Sequence, residues 1–179
     1  MRIALCANLM MFVIGVVGWQ VADSAALLAD AFDMLADASG YTVAWIAIGR
    51  SRQFQENAAR WSGTMLILLG IGVISEVIHS YVAGSTPHGW IIFAFAALSL
   101  AVNGSVLAML SVYRTSPQVH LRATWIDTRA DVVVNISVLV SGAAIALTGY
   151  RAIDLLTGLA IGLYVIKEGV ELWQDADDD

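Results

Sequence analysis

Two stretches of an otherwise apolar chain carry carboxylates at the same spacing. In LLADAFDMLADASG, Asp33 and Asp37 stand four residues apart, and in IDTRADVVVN, Asp127 and Asp131 repeat the D-x-x-x-D pattern. Residues at i and i+4 share one helical face with Cβ atoms about 5–6 Å apart, so each stretch presents two carboxylates side by side. Two such pairs facing each other across a helix interface can share a divalent cation, which offsets their repulsion. When the cation leaves, protons take its place, because carboxylates crowded in low dielectric cannot all stay charged. Metal binding and proton release are then one linked event, the physical basis of metal/proton antiport. Four carboxylates without His or Cys make a hard oxygen site, suited to Mn, Fe(II), Mg or Ca and still open to Zn or Co.

The elements that must position these acids are membrane helices. Of 179 residues, 59% are hydrophobic and 13% charged, against about 25% charged in a soluble domain, and mean hydropathy is +0.75. Too few polar residues exist to coat a soluble surface. Spanning a bilayer takes about 20 apolar residues as helix, since each backbone N–H and C=O must be satisfied within the segment. Six candidates run over 3–21, 25–48, 62–82, 89–113, 123–148 and 153–173, giving an all-α, polytopic membrane domain over 1–173 and an acidic, disordered tail over 174–179. The connections carry turn or cap chemistry: Asp23-Ser24, the polar run RSRQFQENAAR, AGSTPHG, RTSPQVHLR and TGYRAID. The N-terminal apolar run exceeds the core of a signal peptide, about 7–15 residues, and no A-x-A-like site follows, so it reads as a retained first helix.

Orientation follows from the cations. Arg2, Arg50, Arg52, Arg60, Arg114 and Arg122 fall on one side and Arg151 alone on the other, which places both termini in the cytoplasm by the positive-inside rule. Trp19, Trp61, Trp90 and Trp173 fall near helix ends, as an interfacial belt requires. Net charge is −6, and four of the 15 acids lie in the last five residues. No basic stripe points to nucleic acid. The one cysteine, Cys6, excludes an intrachain disulfide and a cysteine-built zinc site.

An ionisable side chain at the bilayer centre costs on the order of 2.5–3.5 kcal/mol, so four isolated aspartates would cost roughly 10 kcal/mol, which no purely structural role recovers. Arg129 lies at i+2 from Asp127, about 200° around the helix, and so faces another neighbour or snorkels. Asp30 shares the face of Asp33 and Asp37 one turn further out and is held as an accessory residue; on the second stretch Thr124 stands at the matching position. Asn135, one turn beyond Asp131, could complete the coordination or bond between helices, and Asn103 is a weaker candidate of the same kind. Glu76 and His79, at i and i+3, are candidates for a second site or a proton relay, weighed against a water-facing histidine. His88 and His120 lie in loops and read as solvated. Gly158-Leu-Ala-Ile-Gly162 matches GxxxG and suits a helix interface.

With S-x-x-LLADA leading into one acidic pair and a matching pair three helices later, the chain resembles the cation diffusion facilitator family over about residues 5–172, most specifically in SAALLADAFDMLADASGYTVAW and IDTRADVVVNISVL. The resemblance implies six helices, a tetrahedral site between helices two and five, and export of divalent metal in exchange for protons. Carried over by position, Asp33, Asp37, Asp127 and Asp131 are the transport site. Zinc-type members carry His-x-x-x-Asp, and manganese- and iron-type members tend to carry aspartate in place of the histidine, so this chain departs from the zinc pattern. Family members usually carry a folded cytoplasmic domain after helix six, whereas this chain ends in ELWQDADDD, which reads as a short, transmembrane-only member.

The expectation is therefore a multi-pass inner (plasma) membrane transporter, a homodimer, exporting a divalent cation of the Mn, Fe, Co or Zn class against protons, with no prosthetic group. A non-transporting metal-binding subunit or regulator and a proton channel are the alternatives. A membrane enzyme is disfavoured, because no nucleophile, acid/base pair or cofactor loop accompanies the aspartates.

Overall fold

A computed structural model describes the backbone of residues 2–47, 50–114 and 119–178, and the side chains of all of these except 2, 43–45, 47, 55, 113, 119–127 and 175–178. Among the described residues the chain forms six helices: α1 (Arg2–Ala22), α2 (Ala25–Ala47), α3 (Arg52–Ala83), α4 (Gly89–Leu110), α5 (Val119–Thr148) and α6 (Ala152–Asp178), with a 3-10 turn at Ser111–Tyr113 after α4. The helices α1, α3, α4 and α5 contain segments long and apolar enough to cross a membrane. The acids of α2 and α6 lower their hydropathy, although at 23 and 27 residues both are of spanning length.

Polarity is arranged as lipid demands. Val13, Val17, Leu68, Ile78, Val140 and Leu147 face outward, while Asn8, Asp30, Asp33, Asn103, Asp131, Asn135 and Asp154 are buried. Without a hydrophobic drive between helices in lipid, close packing and interhelical hydrogen bonds must hold the bundle. The helix that uses both is α2, which packs against all five others. Its first turns, Ala25 to Ala31, are buried on every side, because alanines let five backbones approach at once. Val73, Ile92, Val138 and Val165 complete the core around it.

Glycines allow close backbone contact between α3 and α6. A Cβ at Gly63 would stand 2.6 Å from the Gly169 carbonyl oxygen, and one at Gly70 would stand 2.8 Å from that of Gly162. The GxxxG stretch is used inside this chain, on two different neighbours: Gly162 packs on α3, and Gly158 packs on the backbone of Ala25 and Ala26 in α2.

Four boundaries and one tryptophan depart from the sequence expectation, among them the start of α5, at Val119 in place of 123. The polar run before Ser62 is the first part of α3, which starts ten residues early at Arg52. Gln, Glu, Ala and Arg are good helix formers, no Gly or Pro interrupts them, and the Ser51 hydroxyl accepts the Phe54 amide as an N-cap. Arg52 donates to Glu56 at i+4, 3.1 Å away. At the other end, α4 closes at Leu110, short of Tyr113. Helical backbone in α6 continues to Asp178, so residues 174–178 prolong the last helix. Trp61, Trp90 and Trp173 are exposed as a belt requires, whereas Trp19 turns inward and donates its indole N–H to Glu76. Pro117, in the connection before α5, lies outside the described residues.

The turns tie the helix ends together. Asp23, with φ 53°, accepts the Thr86 amide at 2.6 Å, and the His88 amide donates to the Ala22 carbonyl at 2.9 Å. The α3–α4 loop is thereby fastened over the α1–α2 turn.

Candidate metal centre

Asp33 and Asp131 are both buried, on α2 and α5, and Asp37, half-buried, is a close electrostatic neighbour of Asp131 across the interface between these helices. The i,i+4 geometry of α2 puts Asp33 and Asp37 on one face, and the packing of α2 on α5 turns that face toward Asp131. One turn beyond Asp37, the Tyr41 hydroxyl lies 3.3 Å from that of Thr128 on α5, so the two helices stay in side-chain contact along this stretch. From α1, the Asn8 amide donates to Asp37 Oδ2 at 3.3 Å. Asp127 lies on α5 immediately before buried Thr128, and its side chain lies outside the described residues.

A further acid joins from α6. Glu168 is an electrostatic neighbour of both Asp33 and Asp131 and is hydrogen-bonded with Tyr164 one turn earlier on the same helix. Sequence reasoning passed over Glu168 and Asn8. The signal for Glu168 was an acid inside the apolar run IGLYVIKEGV whose neighbours already pair, Lys167 with Glu171 at 2.8 Å. Asn8 was legible only as an amide within the first apolar helix.

Asp30 belongs to a separate network. Its Oδ1 accepts the Asn135 amide at 2.7 Å, its Oδ2 accepts the Ser99 hydroxyl at 3.0 Å, and Asn103 donates to Asn135 Oδ1 at 3.1 Å. Both carboxylate oxygens are thus engaged by α4 and α5, which links three helices one turn away from Asp33 and Asp131. Asn135 directs both ends of its amide into this network.

Glu76 and His79 sit on α3, apart from these acids. Glu76 Oε1 accepts Trp19 Nε1 at 3.2 Å and the Ser80 hydroxyl at 3.3 Å, and the exposed His79 holds Nδ1 3.9 Å from Glu76 Oε2. Arg129 is exposed where Asp131 is buried, as its place two residues round the helix requires. Among the described residues, no group of three or more His, Cys, Asp or Glu side chains is arranged to hold a metal ion.

The α2–α5 arrangement therefore concentrates negative charge where water is scarce. Such a cluster needs a compensating cation or protons. Residues 1–176 match the family described as the cation efflux transmembrane domain. The chain belongs to the cation efflux family.

This cation efflux domain is 24% identical over 93% of its length to the metal cation efflux system protein CzcD of Cupriavidus metallidurans, of which it covers 56%. It is 23% identical to the cadmium, cobalt and zinc/H(+)-K(+) antiporter of Bacillus subtilis, over 92% of this chain and 57% of that protein. To the zinc transporter ZitB of Escherichia coli it is 23% identical over 90% of this chain and 55% of that one. The chain spans little more than half the length of these relatives.

Proposed function

We propose that this chain is a divalent metal cation transporter of the plasma membrane that moves metal out of the cytoplasm in exchange for protons. The cation is held between α2 and α5 by Asp33, Asp37, Asp127 and Asp131. The observation that carries the reading is the proximity of Asp37 to Asp131 beside buried Asp33, because it brings the two D-x-x-x-D stretches to one place. Six helices with both termini cytoplasmic agree with the distribution of arginines, and residues 174–178 extend the last helix as an acidic end. A homodimer is the proposed assembly.

One of the named relatives is an antiporter of cadmium, cobalt and zinc and another is a zinc transporter, which supports a transition-metal cargo. An all-aspartate donor set moves the preference of this chain toward harder ions, so the cargo is of the Mn, Fe, Co or Zn class, with manganese and iron favoured over zinc. Glu168 adds charge on the α6 side and raises the local concentration of cations near the site.

The test is metal uptake into inverted vesicles under an imposed pH gradient, with Mn, Fe, Co, Zn, Cd and Mg in competition. Flux that collapses with the gradient, and that is lost in Asp37→Ala and Asp131→Ala, is the expected result. Wild-type flux in both variants would show that the site is elsewhere.

A further inference from the structure

The first turn of a helix leaves backbone N–H groups without intrahelical acceptors. In α2, three of them are met by two side chains from different ends of the chain. Ser24 Oγ accepts the Leu27 amide at 3.2 Å and donates to Asp154 Oδ1. Asp154, in the first turn of α6, accepts the Ala25 amide at 2.8 Å on Oδ2 and the Ala26 amide at 3.4 Å on Oδ1. A fully buried carboxylate 130 residues away from Ser24 thus shares the N-cap of α2 and faces the positive end of its dipole.

A second contact, independent of these bonds, secures the same place. One turn along α6, a Cβ at Gly158 would stand 3.0 Å from Ala25 C and 3.2 Å from Ala26 N. A methyl group there would press on the α2 backbone and require the two helices to give by a few tenths of an ångström. The two helices therefore start side by side and run in the same direction. At about 1.5 Å per residue, Asp37 lies about 20 Å down α2 from Ser24, and Glu168 about 21 Å down α6 from Asp154. Equal lengths from a common clamp bring Glu168 level with the aspartates, and a slip of one residue would move it by about 1.5 Å.

We infer that Asp154 is a positioning residue for cation binding: with Ser24 and Gly158 it fixes the axial register of α2 against α6 and so the placement of Asp33 and Asp37 relative to Asp131 and Glu168. Its oxygens are taken up by the α2 amides and Ser24, so it acts on the cation through α2 and not as a ligand. The inference rests on the proposed cation site.

The experiment uses the full chain in proteoliposomes with Co(II) as probe, reading KM and maximal flux separately, together with the visible absorption of Co(II) bound to purified protein. Ser24→Ala, Asp154→Asn and Gly158→Ala are expected to raise KM about 10-fold, the scale on which outer partners of metal ligands act, and to alter the Co(II) spectrum. Ser24→Thr, which keeps the hydroxyl, is expected to restore wild-type KM. Wild-type KM and spectrum in all three variants, or loss of flux only in proportion to folded protein, would overturn the positioning role. Asp33→Asn is run alongside: wild-type flux in that variant overturns the cation site itself, and the positioning role with it.

Discussion

Asn135 donates a hydrogen bond of 2.7 Å to Asp30 across the α2–α5 interface, one helical turn from Asp131. The bond separates two kinds of buried aspartate on α2. Asp30 has both oxygens engaged by neighbouring side chains, whereas Asp33 and Asp37 meet other acids.

Asp30→Ala leaves the buried Ser99 hydroxyl and Asn135 amide without their acceptor. Each such loss costs about 1–3 kcal/mol, so the variant is expected to show a clearly lower thermal midpoint in detergent. Asp30→Asn, which keeps one acceptor, should lose less stability and retain metal flux.

Asp33→Asn and Asp131→Asn are expected to behave oppositely, with folding kept and flux lost. Removing a ligand should exceed the 10–100-fold loss seen for outer partners, so transport should fall by about 100-fold or more. Vesicle uptake and the thermal midpoint, measured on the same preparations, separate the two classes of aspartate.

Asp33→His puts an imidazole at the position where the zinc pattern carries histidine. Borderline nitrogen ligands favour Zn over Mn, so the ratio of zinc to manganese flux should rise. Competition between the two ions in one vesicle preparation reads the ratio directly.

Glu168→Gln removes one negative charge near Asp33 and Asp131 without altering shape. Its expected effect is weaker cation binding, by about 10-fold or 1.4 kcal/mol, with maximal flux less affected. The KM for metal in proteoliposomes checks it.

Gly63→Val drives a side chain into the Gly169 carbonyl, 2.6 Å from the Cβ position. Overpacking of this kind costs about 1–3 kcal/mol, and the contact is backbone on backbone, so little can give. A lowered thermal midpoint is the expected outcome, while Val at nearby Leu68, which is exposed, should be neutral.

The six helices were legible because each carries a long apolar run, and the acidic stretches stood out against it. Helix ends were less legible. The polar residues before Ser62 read as a connection, yet their helix propensity and the Ser51 cap make them helical beyond the apolar segment, since periodicity of hydrophobic residues reports burial and not backbone state. Trp19 read as an interfacial anchor, but Glu76 on α3 gives its N–H an interior acceptor.

The sequence by itself determined the class of protein, the apolar helices and the two D-x-x-x-D faces, because composition and the 3.6-residue period act within one element at a time. Tertiary structure decided which polar residues meet. Asp30, Asp33 and Asp37 lie within about two turns of one helix, and only the neighbours supplied by α4, α5 and α1 distinguish them. Glu168 and Asp154 lie more than a hundred residues from the α2 groups they approach, and no local pattern marks such pairs. Their roles come from the height at which α6 is fastened to α2, a distance that exists only once the helices are packed.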